Sequence, residues 1–178
     1  MLSYGASWGR KGCSQLPVNK SESNLMLSNP TTAQVYNSTY RNAVDEKRRI
    51  QIPAMWRPAE VGVQFTLIVW PKYDEGTCLR VLPPKELAEL MASLDAMPNG
   101  DPNKTRLKRI IGSKSTQVTL DKAGRICLPE EAVKAAGIED EALLVGLLDR
   151  FEIWDPARYE KINVADEVMA HEAFKLME

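Results

Sequence analysis

The sequence predicts an α+β, β-rich fold made of two tandem copies of one small hairpin module, each followed by an amphipathic helix. Three observations predict it. First, Val44-Asp45-Glu46-Lys47-Arg48-Arg49-Ile50-Gln51-Ile52-Pro53 recurs at an offset of 76 residues as Leu120-Asp121-Lys122-Ala123-Gly124-Arg125-Ile126-Cys127-Leu128-Pro129. Second, Leu79-Arg80-Val81-Leu82-Pro83-Pro84 recurs at an offset of 72 as Phe151-Glu152-Ile153-Trp154-Asp155-Pro156. Third, each copy alternates apolar and polar residues, as strands do, and then runs from a proline into a helical period. Self-similarity of this kind marks one supersecondary unit used twice.

Residues 1–38 are rich in Ser, Asn, Gly and Thr, with few aliphatic residues and no sustained period. They are expected to form a flexible N-terminal extension. Residues 39–86 form the first module. Ile50 and Ile52 flank Gln51 at strand period, and Phe65–Trp70 is a candidate buried strand. The four-residue slip between the two offsets falls near Lys72-Tyr73-Asp74-Glu75-Gly76, a hairpin loop free to vary in length.

Residues 87–114 read as a helical connector. Leu87, Leu90, Met91 and Leu94 share one helix face, which ends before the breaker Pro98-Asn99-Gly100-Asp101-Pro102. Residues 115–158 are the second module. There Pro129 starts Glu130–Ala136, with acidic residues in the first turn and Gly137 at the C-cap position. Ala142–Leu148 is the matching buried-strand candidate. Residues 159–178 are expected as a C-terminal helix, its pattern opening at Pro156 with Tyr159, Ile162, Val168 and Met169 as apolar positions. Both apolar stripes read as core or subunit packing.

Modules of this size have marginal cores, so pairing or oligomerisation would help them. The chain has 178 residues and a net charge of −1, which hides an asymmetry. Residues 1–114 carry 16 Lys+Arg against 10 Asp+Glu, and residues 115–178 carry 7 against 14, giving +6 and −7. Such a chain can offer a basic face that the overall balance conceals. Cys13, Cys78 and Cys127 are too scattered for a disulfide framework, and with His171 as the lone histidine they lack metal-ligand spacing. No secretory signal or membrane span is expected, which points to a soluble cytoplasmic protein. No phosphate-binding glycine loop, dinucleotide fingerprint or nucleophile with a histidine partner is present. The chain is therefore expected to be no enzyme and to use no cofactor, metal or small-molecule ligand.

The repeated Asp-x-x-x-Arg is where function is expected. In the second copy Asp121 can accept from backbone N–H groups two or three residues on. Gly124 can take the left-handed conformation that closes the turn, and Arg125 starts the next strand at its tip.

The segment from Leu120 to Pro129 resembles the strand–turn–strand of AbrB-type swapped-hairpin DNA-binding proteins. Two such copies, each with an Asp-x-x-x-Arg and each followed by a helix, resemble the MraZ family over roughly residues 39–162. The resemblance implies two SpoVT-AbrB-like modules closed into a pseudo-symmetric small barrel. It implies a nucleoid-associated transcriptional repressor of the division and cell-wall gene cluster, assembled as a closed homo-oligomeric ring. It also implies that Asp45 and Arg49, with Asp121 and Arg125, form the surface that reads double-stranded DNA. Lys47, Arg48 and Lys122 flank these turns and complete the candidate site. This chain departs from the family in its long N-terminal extension and in Arg48, where the family has Gly. Arg48 must then either adopt a left-handed conformation or change the turn type.

Physical chemistry supports a DNA role independently. Arg41, Lys47, Arg48 and Arg49 surround the first turn. Lys104, Arg106, Lys108, Arg109 and Lys114 add five cations within eleven residues. Such side chains bind phosphates, and an arginine on a β-ribbon can pair with guanine O6 and N7 in the major groove. The aspartates cannot bind phosphate; they would fix the turn and orient the arginine. Blander readings use the same residues. The Asp–Arg pairs also fit solvated turn ion pairs. The 104–114 run also fits a solvated helix face with Leu107, Ile110 and Ile111 turned inward. Trp56, Trp70 and Trp154 fit core positions better than base-stacking ones. Two other functions fit the sequence: an assembly module without DNA binding, and an AbrB-type antitoxin.

Overall fold

The structure is a computed structural model and describes residues 34–60, 62–72 and 76–175. Residues 1–33 of the expected flexible extension lie outside the described residues. The chain runs β1 (Thr39–Ala43), β2 (Arg49–Gln51), a 3-10 turn (Ala54–Trp56), β3 (Gln64–Lys72), β4 (Gly76–Leu82), α1 (Pro84–Ala96) and α2 (Pro102–Ser113). It continues with β5 (Ser115–Thr119), β6 (Arg125–Cys127), α3 (Glu130–Ala136), β7 (Glu141–Gly146), β8 (Phe151–Trp154) and α4 (Pro156–Lys175).

The two copies exchange strands. β1 of the first pairs antiparallel with β7 of the second, and β5 of the second pairs with β3 of the first. β4 pairs with β8, and β2 with β6. Each strand thus meets the other copy under a pseudo-two-fold relation, and neither copy completes its sheet alone.

The expected small barrel is not formed. Six strands make an open sheet in the order β1-β7-β8-β4-β3-β5, and β2 and β6 form a separate two-stranded ribbon. Closure would need the ribbon strands to extend the ladder past β1 and β5. Each ribbon strand is three residues long and stops just before Pro53 or Pro129, which have no N–H to donate. The ribbon strands therefore pair with each other, and Ile50 and Ile126 press into the core beneath them.

Proline also explains why the element after each ribbon strand differs. In the second copy, Glu130–Ala136 completes a helix, and Gly137 closes it in the left-handed conformation at φ 68°. In the first copy, Pro58 would clash with the carbonyl of Ala54 if the helix continued, so a 3-10 turn suffices.

Alternation divides the sheet's two faces. Leu79, Val81, Phe151 and Ile153 face the ribbon and α3, together with Phe65, Leu67 and Leu144. Cys78 and Trp154 face the other way, toward Ile162 and Tyr159 of α4. Trp56 sits at the centre of the first layer, with ring centroids 5.8 Å from Tyr36, 5.2 Å from Tyr40 and 5.1 Å from Phe151. Tyr36 falls within the span expected to be flexible, yet it is buried, and its backbone bridges to Leu148. Trp56→Ala removes the largest fully buried side chain of this layer. It should cost about 3–5 kcal/mol, read as a lowered denaturant midpoint.

Two expected burials do not occur within one chain. Leu147 and Leu148 lie past the end of β7 and are exposed, with Leu148 at φ 74°. On α2, Leu107 and Ile110 are exposed instead of turned inward. The helix packs against α1 at its corner, where Lys104 Nζ caps the carbonyls of Asp95 and Met97 at 2.9 Å each.

A candidate nucleic-acid interface

Both turns are built by the same hydrogen bonds. In the first, Asp45 Oδ1 accepts from the N–H groups of Lys47 and Arg49, each at 2.9 Å. Asp45 Oδ2 accepts from Arg49 Nε and lies 2.7 Å from Nη2. In the second, Asp121 Oδ1 accepts from Ala123 at 2.9 Å and Arg125 at 3.0 Å. Its Oδ2 accepts from Arg125 Nε at 2.9 Å and lies 2.8 Å from Nη2. One carboxylate therefore closes each turn with one oxygen and aims the guanidinium with the other.

Arg48 keeps the turn type and takes the left-handed conformation, at φ 57° against 77° for Gly124. For an L-residue this costs about 1–2 kcal/mol. Leu128 N–H donates to Arg48 O at 2.8 Å, as Ile52 N–H does to Gly124 O at 3.0 Å in the other turn, and only the arginine adds a side-chain bond, from Arg48 Nε to Leu128 O at 3.4 Å.

The antiparallel register sets the two turns at opposite ends of a three-residue ribbon, with their Asp–Arg pairs on one face. Arg49 pairs with Cys127 and Gln51 with Arg125, so all four side chains leave the face opposite Ile50 and Ile126. Arg125 Nη1 lies 4.0 Å from Asp45 Oδ2, across the two copies. Arg49 and Arg125 are about one-third exposed, held at the surface and not tucked inside. Lys47 and Lys122 are exposed beside them.

Hydrogen bonding from Arg49 draws the Asp45 carboxyl down to about 2, and its ion pair raises Arg49 further. Asp121 is lowered as well, first by the backbone N–H and then by the side chain of Arg125. The folded turn thus favours ionised Asp45. Its contribution is complete above the ordinary 3.8 and fades as pH falls toward about 2. A carboxyl-carbon NMR titration should place the Asp45 midpoint near 2; a midpoint at the ordinary value would remove Asp45 from its turn-closing role.

Three other sequence-predicted cations are engaged elsewhere. Arg41 pairs with Glu141 across β1 and β7 at 3.0 Å. Lys104 caps α1, and Lys108 pairs with Asp95. The length of β5 separates this helical corner from the second turn, so the 104–114 run does not join the tips. Sequence reasoning missed Gln51 and Cys127. Gln51 Nε2 donates to the carbonyls of Ala123 and Gly124 at 3.0 and 2.9 Å, bracing the opposite turn. Cys127 is its counterpart at the repeat offset, and its Sγ reaches Lys47 O at 3.4 Å. The offset that aligned the turns also aligned this pair, but their different side chains concealed the shared role.

A strand-exchanged, two-copy β fold that displays twin Asp–Arg turns on one ribbon is the class of protein defined here. Residues 112–175 match the model of the family described as "MraZ protein, putative antitoxin-like". The chain is 32% identical over 138 residues to the "Transcriptional regulator MraZ" of Rickettsia rickettsii (strain Sheila Smith), covering 78% of this chain and 93% of that protein. It is 31% identical over 131 residues to the protein of the same name from Roseiflexus sp. (strain RS-1), covering 74% and 88%. For the Caulobacter vibrioides (strain NA1000 / CB15N) protein of that name, identity is 31% over 135 residues, covering 76% and 86%. The chain belongs to the MraZ family.

Proposed function

We propose that this chain is a DNA-binding transcriptional regulator and that the β2–β6 ribbon is its reading head. One observation carries the reading: the Asp–Arg pairs of both turns share one exposed face of the ribbon, with Arg125 reaching Asp45 of the other copy. Asp45 and Asp121 hold Arg49 and Arg125 toward base edges, where a guanidinium pairs with guanine. Lys47, Arg48 and Lys122 meet the phosphates on either side. The relatives' name, transcriptional regulator, supports the same reading. Repression of the division and cell-wall gene cluster from a nucleoid-associated, cytoplasmic position follows from the family resemblance.

One ribbon offers few base contacts, so a closed ring presenting several ribbons to spaced DNA repeats is part of the proposal. Apolar residues left exposed in one chain support it: Met91 on α1, Leu107 and Ile110 on α2, and Val168 and Met169 on α4. Light scattering should report a discrete mass of several chains, and Val168→Glu with Met169→Glu should reduce it. A wild-type monomer at micromolar concentration would refute the ring. The function is tested by fluorescence anisotropy with the DNA upstream of the chain's own coding sequence. Affinity should fall steeply with salt and exceed that for scrambled DNA. Equal affinity for both duplexes would refute sequence reading, and an absence of binding would favour the assembly module.

A further inference from the structure

The repeat offset sets Arg48 against Gly124 and Arg57 against Val133, so at both positions the first copy has an arginine and the second has none. Arg57 of the first copy folds over the turn of the second. A Cβ built on Gly124 would collide with its guanidinium, and its Nε donates to Ile52 O at 2.9 Å. In the first half, the arginine stands on the turn itself, and Arg48 Nε donates to Leu128 O at 3.4 Å. Leu128 is the counterpart of Ile52 at the same offset. A guanidinium therefore reaches the equivalent carbonyl on both flanks of the ribbon, supplied from two different sequence positions.

These arginines differ from the pair at the tips. Arg49 and Arg125 are each committed to an aspartate. Among the described residues, Arg48 and Arg57 form no side-chain ion pair. Glu130 is bound by Lys134 at 2.7 Å, which lowers its carboxylate first, with Arg48 adding to the effect. Arg57 borders an open cleft with Glu60, Leu120, Asp121 and Lys122. Arg48 borders another with Thr116, Thr119 and Pro129. With Nε engaged by a carbonyl, the two terminal nitrogens of each guanidinium form a fork suited to a phosphate.

We propose that Arg48 and Arg57 grip the DNA backbone as a pseudo-symmetric pair, one on each flank of the β2–β6 ribbon, with Arg48 supplying the guanidinium that Val133 does not. This rests on the DNA-reading function and adds Arg57 to its surface. Arg48 then has a use that outweighs its strained backbone: glycine would relax the turn but leave one flank with no guanidinium for a phosphate.

The test measures affinity of the full-length protein against salt, on the upstream duplex and on a scrambled one. Arg57→Gln and Arg48→Gln should each weaken binding to both duplexes alike. Each should also shrink the slope of log affinity against log salt by about 0.9 for every phosphate that is no longer neutralised. Arg57→Lys should keep most of the slope, which a purely bracing role over Gly124 would not produce. Arg48→Gly should reduce the slope, and Arg48→Gly with Val133→Arg should restore it by copying the Arg57–Gly124 arrangement. Unchanged slopes in both Gln variants, with Arg125→Ala still losing discrimination, would overturn the inference and leave the reading head intact. Wild-type protein without salt-dependent binding would overturn the reading head and this inference together. If Arg57→Gln fails to fold, the Arg48 and Val133 variants decide the outcome.

Discussion

Arg125→Ala, and separately Arg49→Ala, should each lower affinity for the cognate duplex by roughly ten- to a hundredfold while leaving the fold intact. A bidentate guanidinium–guanine pair contributes about 1–3 kcal/mol of discrimination, and about 1.4 kcal/mol corresponds to a factor of ten. The loss should fall mainly on the cognate duplex, because scrambled DNA never made that pair. This separates the tip arginines from phosphate-binding ones, whose removal weakens all sequences equally. Both side chains are about one-third exposed and leave the ribbon on the face opposite the core, so truncation opens no cavity. Circular dichroism and light scattering should match the wild type. An unchanged cognate-to-scrambled ratio in both variants would reduce the twin turns to surface ion pairs.

The second large effect concerns the sheet's other face. Glu152 is 3% exposed and accepts from Arg80 Nη2 at 2.8 Å and from Trp154 Nε1 at 3.0 Å. Arg80 stacks 4.0 Å above the Trp70 ring, and Lys72 lies 3.7 Å from Glu152. The pair joins β4 of one copy to β8 of the other, at the centre of the six-stranded sheet. Arg80→Ala leaves a carboxylate buried without its principal partner, which should cost about 3–5 kcal/mol. Replacing both, Arg80→Met with Glu152→Leu, should recover most of that loss, because removing the charges together also removes their desolvation cost. Chemical denaturation of the two variants provides the measurement. A double variant as unstable as Arg80→Ala would show that packing around Trp70 and Trp154, not the uncompensated charge, dominates.

Much of the candidate face was legible in the sequence because it is local. Asp45 and Asp121 close their turns through N–H groups two and four residues ahead; the spacing anticipated the bond two residues on, whereas the expected bond three residues on falls instead on the N–H of the arginine. Trp56 and Trp154 read as core and are buried. The alternating strands and the proline that ends each ribbon strand were visible for the same reason. The partners of Arg41 and Lys104, Glu141 and the end of α1, were not legible because folding brings them together from a distance.

The sequence by itself determined that a hairpin unit is used twice, where its turns fall, and which charged residues stand at their tips. These follow from backbone preferences and hydrogen bonds spanning a few residues. The tertiary structure alone decided the strand exchange, the open sheet in place of a barrel, and the meeting of both tips on one ribbon. It alone brought Arg57 to Gly124 and Arg80 to Glu152. Each of these depends on contacts between distant residues, and repeat spacing specifies which units are alike but not which strand of one unit pairs with which strand of the other.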